Sequence, residues 1–191
     1  MQLIRFASLP ATPWKNGGGI TRQLLIHPAA ANLDTFTLRV SIADVDSDGP
    51  FSDFSGIDRT LGLLSGHGLS LHEDEQPVAT LQPGGALLAF DGGRRIGSTR
   101  LDGKVQDFNV MTRRGQASHQ ARYLQVKEPT ELASSGPTLL LLAEGNALLA
   151  SDGHDTQQLA FRDALWLPHG GTLQLLAAAP CRLIVVEVQL A

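Results

Sequence analysis

Residues Thr35-Phe36-Thr37-Leu38-Arg39-Val40-Ser41-Ile42 alternate polar and apolar without a break, the period of a half-buried strand. Shorter apolar runs of strand length recur along the chain, at Leu61–Leu64, Leu139–Leu142 and Cys181–Val188. Asp-Gly pairs at 48–49, 91–92, 102–103 and 152–153 fall between such runs and read as hairpin turns. No segment carries a helical stripe of useful length. Gln116 to Val126 is compatible with one or two helical turns or with a linker. Twenty glycines and ten prolines punctuate the chain too often for long helices, so the pattern predicts an all-β fold, a barrel or jelly roll.

The pattern also repeats. Leu61-Gly62-Leu63-Leu64-Ser65-Gly66, a second strand to His72, then Pro83-Gly84-Gly85 is matched by Leu139-Leu140-Leu141-Leu142-Ala143-Glu144-Gly145, a second strand to Ala150, then Pro168-His169-Gly170-Gly171. Gly145 follows Gly66 by 79 positions. Two such units predict a duplicated barrel. The seam is expected in the linker-like Lys127 to Pro137, giving one domain over 1–126 and a smaller one over 127–191, with strands that can interdigitate.

Composition narrows the function classes. With 42% hydrophobic and 18% charged residues the chain folds around a core. A net charge of −4 and scattered basic residues give no reason to expect a nucleic acid or an anionic membrane surface. Met1 to Pro13 lacks the basic region and apolar run of a secretory signal, and no apolar stretch nears the ~20 residues of a membrane helix. The expected setting is the cytoplasm. The single cysteine, Cys181, sits in an apolar run and reads as a buried structural thiol.

Candidate chemistry begins at Trp14-Lys15-Asn16-Gly17-Gly18-Gly19, directly before a strand-like run. Consecutive glycines let a ligand approach the backbone, with Lys15 supplying charge and Asn16 donors and acceptors. The same loop also reads as a tight turn with Trp14 packed in the core. It is no phosphate cradle, because no helix start follows to supply a dipole. If Ile20, Leu24 and Ile26 share one face of the next strand, Thr21, Gln23 and His27 share the other. Arg39 and Ser41 lie opposite the apolar positions of their strand, and Asp107 and Asn109 opposite Phe108. Arg39 on an outer face would be ordinary; on the inner face of a closed barrel it needs a partner or an anionic ligand. The loop from Asp48 to Arg59 carries Phe51 and Phe54, which either line a pocket or cap the core while Asp58 and Arg59 pair at the surface.

The strand-turn-strand pattern ending in Pro-Gly-Gly resembles the cupin superfamily. Gly66 and His72 match the start of its first metal motif, but Asp74 stands where a second histidine belongs, and no histidine follows the Pro83 turn. A divalent ion wants three or four converging ligands, so no metal or other cofactor is expected. No nucleophile-elbow, Walker or dinucleotide fingerprint occurs.

Several blocks together are similar to one family: Trp14 to Gly19 with Thr21, Arg39-Val40-Ser41, Asp48-Gly49-Pro50-Phe51-Ser52, Phe54, Asp58-Arg59 and Asp107-Phe108-Asn109-Val110-Met111. In that order and rough spacing they resemble the HutD/Ves family over residues 1 to about 115. The resemblance implies a bicupin without a catalytic metal. It further implies a regulator linked to histidine utilisation that binds a small carboxylate such as urocanate or a formylated glutamate. The ligand-binding set it points to is Lys15, Asn16, Thr21, Gln23, Arg39, Ser41, Phe51, Arg59, Phe108 and Asn109. Gln23 stands where relatives often carry Glu, and Leu38 where a Trp commonly precedes the arginine. The alternative on the same scaffold is a metal-free isomerase or hydrolase using His72, Asp58 or Asp107, and a third is a purely structural or interaction module. A homodimer is left open.

Overall fold

The computed structural model describes Met1 to Ala191. The chain opens with β1 (Gln2–Ile4) and one 3-10 turn, then β2 (Ala11–Pro13), β3 (Gly19–His27), β4 (Leu38–Val45), β5 (Gly49–Pro50) and β6 (Ile57–Ser65). Next come β7 (Leu69–Glu73), β8 (Gln76–Leu81), β9 (Leu88–Asp91), β10 (Ile96–Arg100) and β11 (Val105–Arg113). The remainder forms β12 (Ala117–Val126), β13 (Thr130–Ser134), β14 (Thr138–Glu144), β15 (Ala147–Ser151), β16 (Thr156–Ala160), β17 (Ala164–Leu167), β18 (Gly171–Leu176) and β19 (Cys181–Leu190). The all-β expectation holds. Gln116 to Val126 is neither helix nor linker: from Ala117 onward it is a ten-residue strand in one sheet with β19. Its residues form no helical stripe, and an available sheet edge decides its state.

Two compact units emerge, Pro10–Ser118 with Ala191, and Met1–Leu9 with His119–Leu190. The division thus falls between 118 and 119 rather than between 126 and 127. The first nine residues join the C-terminal unit, where β1 pairs with β17. Buried Asp163 ties that segment down, accepting from the Phe6 N–H at 3.0 Å and pairing with Arg5 at 2.7 Å.

Each unit is built from two antiparallel sheets. In the N-terminal unit the orders are β2-β3-β4-β11-β6-β9 and β5-β10-β7-β8; in the C-terminal unit β12-β19-β14-β17-β1 and β13-β18-β15-β16. The run β4-β11-β6-β9 is therefore repeated as β12-β19-β14-β17, and the smaller sheet is repeated strand for strand. The sequence repeat thus coincides with a repeated strand order. Its turn glycines match in conformation, with φ +103° at Gly66 and +104° at Gly145. A Cβ on Gly66 would lie 2.7 Å from Val105 Cγ1, and one on Gly145 2.6 Å from Cys181 Cβ. In both units the chain must pass close beneath the incoming last strand.

The interiors differ. A continuous cluster including Leu140, Leu142, Leu148, Leu165, Leu183 and Val185 fills the C-terminal unit. Cys181 belongs to it, and burial pushes its thiol pKa up, which keeps it protonated and unreactive. The N-terminal unit has two separate clusters. One gathers Ala43, Val45, Leu61, Leu63, Leu69, Leu71 and neighbours; the other is Phe36, Ile57 and Met111 with Ile26 and Phe54 packed on.

Because a side chain at either turn glycine meets both a positive φ and a steric clash, Gly66→Ala and Gly145→Ala should each lower unfolding free energy by about 1–3 kcal/mol. Chemical denaturation of the two variants checks this. Equal stability to the parent chain would show that the close approach is not required.

Candidate functional site

Polar side chains separate the two N-terminal clusters, and strand register places them. Residues directly opposite on neighbouring strands share a face. One rung across β3, β4, β11 and β6 is Thr21–Ala43–Asp107–Leu63. The next is Gln23–Ser41–Asn109–Leu61. The third, extended by β9, is Ile26–Arg39–Met111–Arg59–Phe90. Ala43, Leu61, Leu63 and Phe90 belong to the core of the unit, so all three rungs face its interior. A bulge between Gln23 and Leu25 brings Ile26 onto this face and sends His27, paired with Leu38, to the other. The expected split of this strand, with Ile26 opposite Gln23 and His27 beside it, therefore breaks at Leu24.

Arg59 is the most deeply buried cation of the layer, at 3% exposure. Its guanidinium lies 5.1 Å from the Phe51 ring centroid, 5.7 Å from Phe54 and 5.1 Å from Phe90. One long hydrogen bond, 3.5 Å from Nη1 to the Ser52 carbonyl, is its only direct polar contact, and buried Nε has no partner. Burial pulls its pKa down to about 10, opposed by the field of Asp107 and reinforced by that of Arg39. Arg39, half-buried, donates from Nε to Gln23 Oε1 at 3.2 Å and packs Nη1 against Met111 Sδ at 3.7 Å. Burial lowers its pKa too, with Asp107 pulling the other way.

Asp107 answers these cations from two rungs away. It is buried to 2% exposure, with Ala43 and Leu63 as rung neighbours. Desolvation pushes its pKa up to about 7; Arg59 pulls it down, Asp44 adds to the rise, and the Ala43 N–H and Arg39 pull it down further. The arginines act on it through space rather than through a hydrogen bond. On the rung between stand buried Ser41 and Asn109, whose Oδ1 is unpartnered. Near neutral pH the layer holds two guanidiniums against one partly ionised carboxyl. Such a cluster suits an anion that brings acceptors for the cations.

The duplicated unit is an internal control for this layer. By register, Leu61 and Leu63 correspond to Leu140 and Leu142, since each pair faces the same position of the last strand. Asp107 then corresponds to Leu183 and Asn109 to Val185. The fold is satisfied by leucine and valine there. Polar groups in the N-terminal copy are not required by the architecture.

Of the residues expected in the site, Thr21, Gln23, Arg39, Ser41, Arg59 and Asn109 share this face, and the Phe51 ring covers Arg59. Thr21 Oγ1 already accepts from Trp14 Nε1 at 2.8 Å. Phe108 is a correction: it pairs with Ile42 and Gly62 and, one residue out of phase with Asp107 and Asn109, points away from the layer. Lys15 is exposed, and Asn16 Oδ1 caps its own loop by accepting from the Gly18 N–H at 3.0 Å. The glycines have a structural reason as well, since a Cβ on Gly19 would lie 2.4 Å from the Asp44 carbonyl oxygen. The surface pairing of Asp58 with Arg59 does not form, because Asp58 pairs with Arg114 at 2.7 Å while Arg59 turns inward. Asp107 was legible as a member of the face but not as a member of the binding set; Met111 and Phe90 carried no signal beyond being apolar.

Two open surface concavities lie elsewhere. One of about 340 Å³ is lined by Ser70, His72, Glu75 and Pro77, and one of about 280 Å³ includes Asp44, Asp46, Lys104 and Gln106. Neither touches the arginine layer, and volume alone does not select a site over unsatisfied buried charge. Nowhere do three or more His, Cys, Asp or Glu side chains converge as a metal-binding group. No helix is long and apolar enough to cross a membrane.

A family model described as HutD matches residues 7–185. The chain belongs to the HutD family. It is 36% identical over 168 residues to an uncharacterised 21.2 kDa protein in the hutC 3′ region of Pseudomonas putida, covering 87% of this chain and 86% of that one. It is 29% identical to Protein Ves of Citrobacter koseri, over 88% of this chain and 96% of the relative. Among solved structures it is similar to a conserved protein of unknown function from Pseudomonas aeruginosa PAO1, with TM-score 0.89, 30% identity and 98% of each chain covered. A cupin 2 conserved barrel domain protein from Leptotrichia buccalis, at TM-score 0.66 and 9% identity over 98% of this chain and 96% of that one, shares the fold alone. This HutD chain thus has a cupin-like architecture.

Asp107 imposes a pH dependence on stability. Its folded pKa of about 7 lies above the usual 3.8, so between those values the folded state keeps a proton that the unfolded state has released. Stability from this group therefore falls as pH rises from about 4 to about 7 and is level beyond, a span of roughly 4 kcal/mol at most at about 1.4 kcal/mol per unit. Asp107→Asn should gain on the parent chain in thermal unfolding as pH is raised from 5 to 8. A melting difference constant across that range would show that Asp107 does not titrate this way.

Proposed function

We propose that this HutD protein binds a small carboxylate in the polar layer of its N-terminal unit, as a non-enzymatic sensor or buffer linked to histidine utilisation in the cytoplasm. The observation that carries the reading is Arg59, a buried guanidinium with an unpartnered Nε. Burying a cation without a matched anion costs several kcal/mol in folding, and a carboxylate ligand offsets that cost on binding. Arg39 is nearer the surface and makes the first charge-assisted contact, with Ser41, Asn109 and Gln23 supplying hydrogen bonds. Phe51 forms part of the apolar wall, the usual mixture in a small-molecule site. Urocanate or a formylated glutamate is the expected ligand. Support for the pathway is the relative in the hutC 3′ region.

A second reading has one observation in its favour. A buried carboxyl with pKa about 7 is poised to give and take protons, so Asp107 also suits a general acid–base in a metal-free isomerase or hydrolase. Chromatographic analysis of each ligand after incubation separates the two, since the enzyme consumes what the sensor returns unchanged.

Calorimetric titration with urocanate and with formylated glutamate tests the binding. Arg39→Ala should weaken it by at least about tenfold, the worth of one charge-assisted hydrogen bond. Lys15→Ala, altering an exposed loop, should change it little. Equal losses in the two variants would point to general surface charge rather than to the layer.

A further inference from the structure

We propose that the anion enters this site together with a proton, and that the proton resides on the Asp107 carboxyl. The inference rests on the carboxylate-binding reading and specifies how the site chooses its ligand.

The geometry sets the argument. Arg39 and Arg59 occupy one interior rung, Asp107 lies two rungs away on the same face, and Ser41 and Asn109 stand between. An anion held by the guanidiniums over the Ser41–Asn109 rung has Asp107 on its far side. The groups acting on Asp107 are few: Arg59 from β6, Arg39 and the Ala43 N–H from β4, and Asp44 adding negative charge from the same strand. Thr21, its rung neighbour on β3 beyond Ala43, is already engaged with Trp14. In the empty site the two arginine fields keep this buried carboxyl near balance between its forms.

An arriving carboxylate changes both sides of that balance. It neutralises the guanidinium fields that favour ionised Asp107, and it adds a like charge in a poorly solvated space. Each effect draws a proton onto Asp107. The neutral carboxyl then has an O–H to donate where an ionised one has only lone pairs, so it complements an anionic ligand instead of repelling it. Asp107 is thereby a specificity-determining residue. It favours ligands that accept hydrogen bonds on the edge facing away from the arginines, and it disfavours cations and donor-only groups.

The test is calorimetry of urocanate binding at pH 8.0 in HEPES and in Tris, buffers of different ionisation enthalpy. At this pH a free imidazole stays neutral and Asp107 of the empty site is mostly ionised. The expected result is an apparent enthalpy that differs between buffers by close to one proton per urocanate, absent in Asp107→Asn, which still binds. In the parent chain alone, affinity should fall about tenfold per pH unit between pH 7.5 and 8.5. Urocanate binding with the same enthalpy in both buffers and a flat pH profile would overturn the proposal while leaving the carboxylate reading intact. Proton uptake that persists in Asp107→Asn would overturn it too, by placing the proton elsewhere. Failure of urocanate and of formylated glutamate to bind at any pH would instead remove the carboxylate reading itself.

Discussion

A guanidinium buried without a matched anion is the constraint on which the N-terminal unit turns. Arg59 is held by three phenylalanine rings and a single long hydrogen bond, an arrangement that orients the cation but does not neutralise it. Ring faces attract a cation by about 1–2 kcal/mol each, well short of the cost of removing it from water. The remainder is met by charges at longer range, chiefly Asp107, and that dependence couples residues on three rungs into one electrostatic unit. The layer lies between the cluster around Leu61 and Leu63 and the one around Phe36 and Met111.

Duplication makes the cost of this arrangement visible within one chain. Both units share the run of four strands in the larger sheet, the order of the smaller sheet, the same tight glycine turn and the same close approach of a final strand. Where one carries Asp107 and Asn109, the other carries Leu183 and Val185. The apolar copy has what stability requires, a continuous core of leucine and valine. The polar copy gives up part of that core for unsatisfied hydrogen-bonding capacity at Arg59 and Asn109.

Much of this was legible in the residues, and the failures have definite causes. The alternation from Thr35 to Ile42 correctly put Arg39 and Ser41 on one face, because a strand's side-chain period is two whatever it pairs with. It also placed Asp107 and Asn109 together and Phe108 opposite, yet the family pattern counted Phe108 among the binding residues. The bulge at Leu24 was not legible, since an extra residue in one strand depends on the register of its neighbour. Ile26 and His27 exchange faces as a result. Lys15 and Asn16 beside three glycines suggested a ligand loop, but Gly19 is small because the Asp44 carbonyl lies against it, and no local pattern reveals that contact.

Local chemistry, in the end, determined what each strand was and which side chains shared a face, because both follow from backbone geometry and the spacing of apolar residues. The duplicated plan was also set at that level, through recurring turn glycines and apolar runs. Which face of each strand looked inward, which unit the first nine residues joined, and how deeply Arg59 and Asp107 were buried belonged to the tertiary structure. Those properties depend on pairings between residues far apart in the chain. A charge becomes a site only when distant strands close over it and take away its water.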